Sequence, residues 1–81
     1  MEKKEIAVEG IVTIGEVRLL PIVRTYVSVQ RAGRGIICSA SKRPLGVVIV
    51  SPEGQRALNL AGEEVPVEHY LELVPALRDL L

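Results

Sequence analysis

The chain is expected to fold as α+β: an antiparallel β-sheet of four to five strands followed by a C-terminal helix kinked or split at Pro75. Three observations predict this. Apolar residues alternate with period two through most of the first sixty positions. Glycine and proline punctuate that alternation at hairpin-like intervals. The only 3.6-residue stripe, Val67, Tyr70, Leu71, Val74, Leu77 and Leu81, comes last. Strands first and helix last segregate into an antiparallel sheet with a helix on it.

Residues 5–14 read as a half-buried strand, with Ile6, Val8, Val12 and Ile14 on one parity and Gly10 marking a bend. A turn at 14–16 leads into a second strand over 17–30. There Val17, Leu19, Val23, Val27 and Val29 face one way, while Arg18, Leu20, Ile22, Arg24, Tyr26, Ser28 and Gln30 face the other. The second parity is mixed, so this strand is covered on both faces or meets another subunit. Pro21 donates no N–H and marks an edge, bulge or break.

After a turn at Ala32-Gly33, residues 34–41 read as a shorter strand ended by Lys42-Arg43-Pro44. Leu45–Val50 is apolar on both parities and β-branched, as a central strand is. Ser51-Pro52-Glu53-Gly54 is a turn, and Gln55–Leu60 returns as its hairpin partner. A loop follows, and Pro66 then opens the helix. Pro75 divides it into segments of roughly 66–74 and 75–81.

Eighty-one residues form one domain, residues 1–81. At this size a single core is marginal, and disulfides, metals or oligomerisation usually assist. One cysteine, Cys38, and one histidine, His69, make neither an internal disulfide nor a Cys/His zinc site. No metal and no cofactor is expected. Hydrophobic residues reach 48%, which points to apolar surface buried between subunits. No apolar run is long enough to span a membrane, and the first ten residues lack the apolar core of a signal peptide. A cytoplasmic protein is therefore expected, and a lone thiol suits that compartment. The scarcity of Asn, Cys and Met beside abundant Glu is a bias of heat-stable proteins.

Net charge is zero, but residues 17–52 carry six basic side chains and no acid. The flanks are acidic, −2 over residues 1–16 and −4 over residues 53–81.

The segments Gly46–Leu60, "GVVIVSPEGQRALNL", and Tyr70–Leu81, "YLELVPALRDLL", resemble the closing hairpin and Pro-containing C-terminal helix of the GerW (YtfJ-like) family of sporulation proteins. Upstream, Leu20-Pro21-Ile22-Val23 resembles that family's Ile-Pro-Val-like step before a glycine-rich loop. The resemblance covers roughly residues 11–81, with the loop reduced to Arg31–Lys42. It implies the same fold, self-association and a connection with spore formation; it implies no catalytic activity.

Four candidate sites follow from the residues. Gly33 and Gly35 lack the spacing and following helix of a phosphate-binding loop, and so read as turn glycines. Cys38 shares strand parity with Ile36 and Ala40, has no histidine near it in sequence, and reads as a buried structural thiol rather than a nucleophile. The carboxylates Glu63, Glu64, Glu68 and Glu72 read as a solvated face, as does His69 beside them. The basic hairpin residues Arg31, Arg34, Lys42 and Arg43 are anion-binding candidates for nucleic acid or another polyanion. Only two aromatic residues are present, which offers no stacking platform for bases. The leading expectation is a non-catalytic homo-oligomer, a dimer, joined through Arg18, Leu20, Ile22, Arg24 and Tyr26. Nucleic-acid binding through residues 17–52 is the alternative.

Overall fold

Six strands form one antiparallel sheet in a computed structural model that describes residues 1–81. They are β1 (Glu2–Val8), β2 (Val12–Ile14), β3 (Val17–Ala32), β4 (Gly35–Ser51), β5 (Gly54–Asn59) and β6 (Glu64–Val65). The sheet order is β1-β3-β4-β5-β6, with β2 also paired to β3. Helix α1 (Val67–Leu73) and a 3₁₀ segment (Pro75–Leu80) close the chain. The architecture is broadly α+β, with six strands rather than four or five and a short helix that ends before Pro75.

The alternation over 5–14 is split. β1 pairs with Ser28–Ile22 of β3, β2 pairs with Leu19–Val17, and Gly10 turns between them with φ 70°. Pro21 lies on β3 opposite that interruption, where its missing N–H deprives no strand of a partner. The Pro21 carbonyl still accepts from the Glu9 N–H at 3.1 Å.

Lys42-Arg43-Pro44 does not end a strand, contrary to the expectation. β4 runs unbroken from Gly35 to Ser51, because the register shifts by one residue beside Leu45. Pro44 sits at this bulge, opposite Val23, on a stretch where β4 has no outer neighbour; β5 pairs only from Gly46 onward. Bulges and edges are the places where a sheet accepts proline. Two short strands therefore become one, and β3 and β4 form a hairpin long enough to stretch the molecule to 56 × 24 × 23 Å.

Strand pairing assigns the faces. Leu20, Val48 and Ala57 lie directly across from one another in one row, and Ile22 lies on the same face in the next row, across from Gly46. Tyr70, Val74 and Leu77 of the C-terminal helical segments pack on this group to form the core. α1 ends at Leu73, and Pro75 begins the tighter 3₁₀ segment, which places Leu77 in the core at 0% exposure. Only 8 of the 81 residues are fully buried.

This is a small interior for the chain's size. A compact monomer of 8.8 kDa exposes about 4,800 Å², and this chain exposes 5938 Å². Its radius of gyration is 15.8 Å, against about 12 Å for a compact chain of this length. The excess comes from the long hairpin and from the face of the sheet opposite the helix.

Candidate functional site

The face opposite the helix carries Leu19, Pro21, Val23, Val27 and Val29 from β3, paired with Ile49, Val47, Pro44, Ala40 and Cys38 of β4. Leu58 of β5 and Val12, Ile14 and Ala7 of β2 and β1 extend it sideways. None of these residues belongs to the core cluster or packs against it. Ile14 is 64% exposed. Val12, Pro44, Ala40 and Cys38 are also exposed, whereas the β3 residues, Ala7, Val47, Ile49 and Leu58 are half-buried among their sheet neighbours, with no helix packed on them. One polar row, Glu5–Thr25–Lys42, crosses the face, and Lys42 reaches Glu9 at 3.1 Å. Lys3 beside Val27, Arg31 beyond Val29, and Arg56 and Glu64 beside Ile49 and Leu58 lie on this face too, and the rest is aliphatic. The face with these charges extends about 40 Å along β3 and about 14–19 Å across three to four strands, or roughly 600–800 Å².

The interface residues expected from the sequence fall on the other face. Leu20 and Ile22 are 0% exposed beneath the helix, so they are used by the chain's own core and are not available to a partner. This corrects that assignment: their mixed parity is the face the helix covers, and the uniform parity is the bare one. Arg18 is half-buried on the helix side, across from Val50. Arg24 and Tyr26 lie on the same side, beyond the core cluster.

The four anion-binding candidates do not converge. Arg31 and Lys42 lie on the bare face, Arg43 lies on the helix face, and Arg34 is in the turn at the hairpin tip. Lys42 is already paired with Glu9. Along β3 the row of Arg31 is about 23 Å from the row of Arg43, at 3.3 Å per residue. Cys38 is exposed, not buried, because its strand neighbours face the uncovered side of the hairpin. His69 is exposed on α1, as expected.

A basic group that charge counting along the chain does not reveal does converge. Arg24 and Arg43 are directly opposite on the helix face, and the next row is Lys4–Tyr26–Ser41. These five residues line a hollow of about 290 Å³. The Lys4 ammonium lies 5.8 Å from the centre of the Tyr26 ring, within cation–π range. The Tyr26 phenol is held above its ordinary range, first by the Glu2 carboxylate that accepts its hydrogen bond and then by desolvation. Lys4 belongs to the acidic N-terminal block and Arg43 to the basic middle. The signal joining them is strand register, which a residue-by-residue count does not contain.

A second, broader hollow of about 750 Å³ opens at the far end of the bare face, beside the hairpin turns, between Val17, Ile49 and Leu58. Arg56 on its wall donates through Nε and Nη2 to both oxygens of Glu64, at 2.9 and 3.0 Å. That fork holds the Glu64 carboxyl below its ordinary range and raises the Arg56 guanidinium further. No helix is long and apolar enough to cross a membrane. No family model, curated protein or solved structure matches the chain, so its geometry alone carries the reading of the site.

Proposed function

We propose that this protein is a non-catalytic assembly module that works as a homodimer, with the bare faces of two sheets stacked on each other. The observation that carries the reading is the largely aliphatic, half-buried face centred on Val23 and Val47, on which no helix of the chain packs and which the Lys42–Glu9 ion pair crosses. The face as a whole, its charged residues included, spans roughly 600–800 Å², close to the ~800 Å² that each partner contributes to a standard interface. The chain also exposes about 1,100 Å² more than a compact monomer of its mass.

A second copy fits this face better than an unrelated partner. The polar row runs from Glu5 at one edge through Thr25 to Lys42 at the other. A two-fold axis parallel to β3 places Glu5 of one copy over Lys42 of the other, which is already paired with its own Glu9, and does so twice. The chain's zero net charge adds no long-range repulsion to self-association. The resemblance to the GerW family agrees with this reading, and membership of that family and a cytoplasmic, heat-stable protein are part of the proposal. The basic hairpin set gives the polyanion reading no shared surface.

Sedimentation velocity from 1 to 100 μM tests the proposal. The expected result is a reversible dimer. Val23→Lys is expected to give a monomer that keeps its circular dichroism spectrum. A monodisperse monomer across the whole range overturns the proposal.

A further inference from the structure

We propose that Lys4, Arg24 and Arg43, with the hydroxyl of Ser41, form a binding site for a single phosphoryl or sulfuryl group carried by a small ligand. The site lies on the helix face, opposite the dimer face, so it does not depend on the assembly reading.

Two like charges directly across an antiparallel pair repel, and sheets avoid the arrangement unless something offsets it. Arg24 and Arg43 occupy such a pair. The chain's two ion pairs, Lys42–Glu9 and Arg56–Glu64, involve neither arginine nor Lys4. No carboxylate lines the hollow: its walls are three cations and two hydroxyl-bearing residues. Glu2, opposite Ser28, is the next residue along the face and does not line the hollow. The Ser41 hydroxyl makes no hydrogen bond within the chain and is free to donate. Three positive charges around one concavity match a tetrahedral dianion, and guanidinium groups present paired donors to its oxygens.

The size of the hollow selects a small ligand over a nucleic acid. About 290 Å³ is at the lower end of small-molecule sites. A polyanion is bound by a stripe of positive charge, and this face has none: the next row outward is Glu2–Ser28–Ser39, and the next inward row across β3 and β4 is Ile22–Gly46. Tyr26 presents its ring to Lys4, not to a base.

The test uses inorganic phosphate and inorganic sulfate, each against sodium chloride at matched ionic strength, with the ¹⁵N-labelled full chain. Phosphate is expected to shift the Nε–H resonances of Arg24 and Arg43 saturably and to raise the melting temperature above the chloride control. Arg43→Gln and Arg24→Gln are each expected to weaken phosphate binding by about tenfold or more. Because each relieves the Arg–Arg repulsion, neither is expected to lower the melting temperature in chloride, which separates loss of the site from loss of the fold. Val23→Lys is expected to bind phosphate like the parent. Phosphate and sulfate indistinguishable from chloride overturn the proposal. So does binding that survives both glutamine variants. Saturable binding of a twelve-nucleotide single strand that phosphate does not displace also overturns it, in favour of a nucleic-acid backbone.

Discussion

Tyr70 lies against Gly46, its phenol occupying the space that any side chain at position 46 would need. Its single hydroxyl proton is shared between the carbonyls of Leu45 and Leu58, 3.3 Å from each. The helix thereby docks on the sheet at the β4 bulge, where the extra residue turns the Leu45 carbonyl out of the ladder to meet it. A Cβ on residue 46 would meet both the phenol and the backbone carbonyl of Leu58, and the backbone cannot swing aside. Gly46→Ala is therefore expected to cost about 3 kcal/mol, the upper end for overpacking. Tyr70→Phe, which keeps the shape, is expected to cost about 1 kcal/mol for the shared hydrogen bond. Urea denaturation of both variants checks the order; an alanine variant as stable as the parent contradicts it.

The two parities of β3 make different predictions on substitution. Leu20→Ala removes a side chain that is 0% exposed in a core of seven residues and is expected to cost about 3–4 kcal/mol at any protein concentration. Val23→Lys is expected to weaken the dimer by about 100-fold or more, while the unfolding midpoint loses its dependence on concentration. Equilibrium unfolding at 2 and 50 μM separates the two effects. Equal concentration dependence in the parent and in Val23→Lys contradicts the placement of the interface.

Much of this arrangement is legible in the sequence. The alternation over 17–30, the apolar run 45–50, the Pro52 turn and the break at Pro75 each correspond to an element, because each is local chemistry. Which parity of β3 the helix covers is not local. A clue was present at Gly46: a glycine within a β-branched strand marks a close approach, and its parity, shared with Val48, is the face that Tyr70 covers. The continuity of β4 through Pro44 was hidden for a similar reason, since proline reads as a breaker until the bulge is known. The Lys4–Arg24–Arg43 group was invisible because its members are nineteen to thirty-nine positions apart in sequence, and only register brings them together.

The Arg56–Glu64 fork sets a small acid dependence. Glu64 titrates below its unfolded value, so its contribution is complete above the ordinary carboxylate range and disappears as the pH falls through its lowered folded value. Both side chains are more than half exposed, so the contribution is a minor one and is reduced by salt. The melting-temperature difference between the parent and Glu64→Gln is expected to be constant from pH 5 to 8, on the order of a degree or two, and to close below that range. A difference that widens on acidification contradicts the assignment.

β4 has an unpaired outer edge from Gly35 to Arg43, with Ile36 71% and Ile37 57% exposed beside it. A long edge of this kind templates further strands. Ile37→Lys is expected to slow heat-induced aggregation several-fold, read by light scattering, while changing stability by less than about 0.5 kcal/mol. Unchanged aggregation assigns the process to another surface.

Cys38 reports how far the dimer face extends along the hairpin. It is directly across from Val29, on the bare side of the sheet, and is exposed in the single chain. If the stacked faces run the length of β3, the thiol is covered in the dimer and open in the monomer. Reaction with a disulfide reagent such as dithionitrobenzoate is expected to slow several-fold as the protein is concentrated through its dissociation constant, and Val23→Lys is expected to react quickly at every concentration. The rate of the parent then follows the monomer fraction measured by sedimentation. A rate that stays constant while sedimentation shows the dimer forming confines the interface to the block around Val23 and Val47, short of the row of Val29.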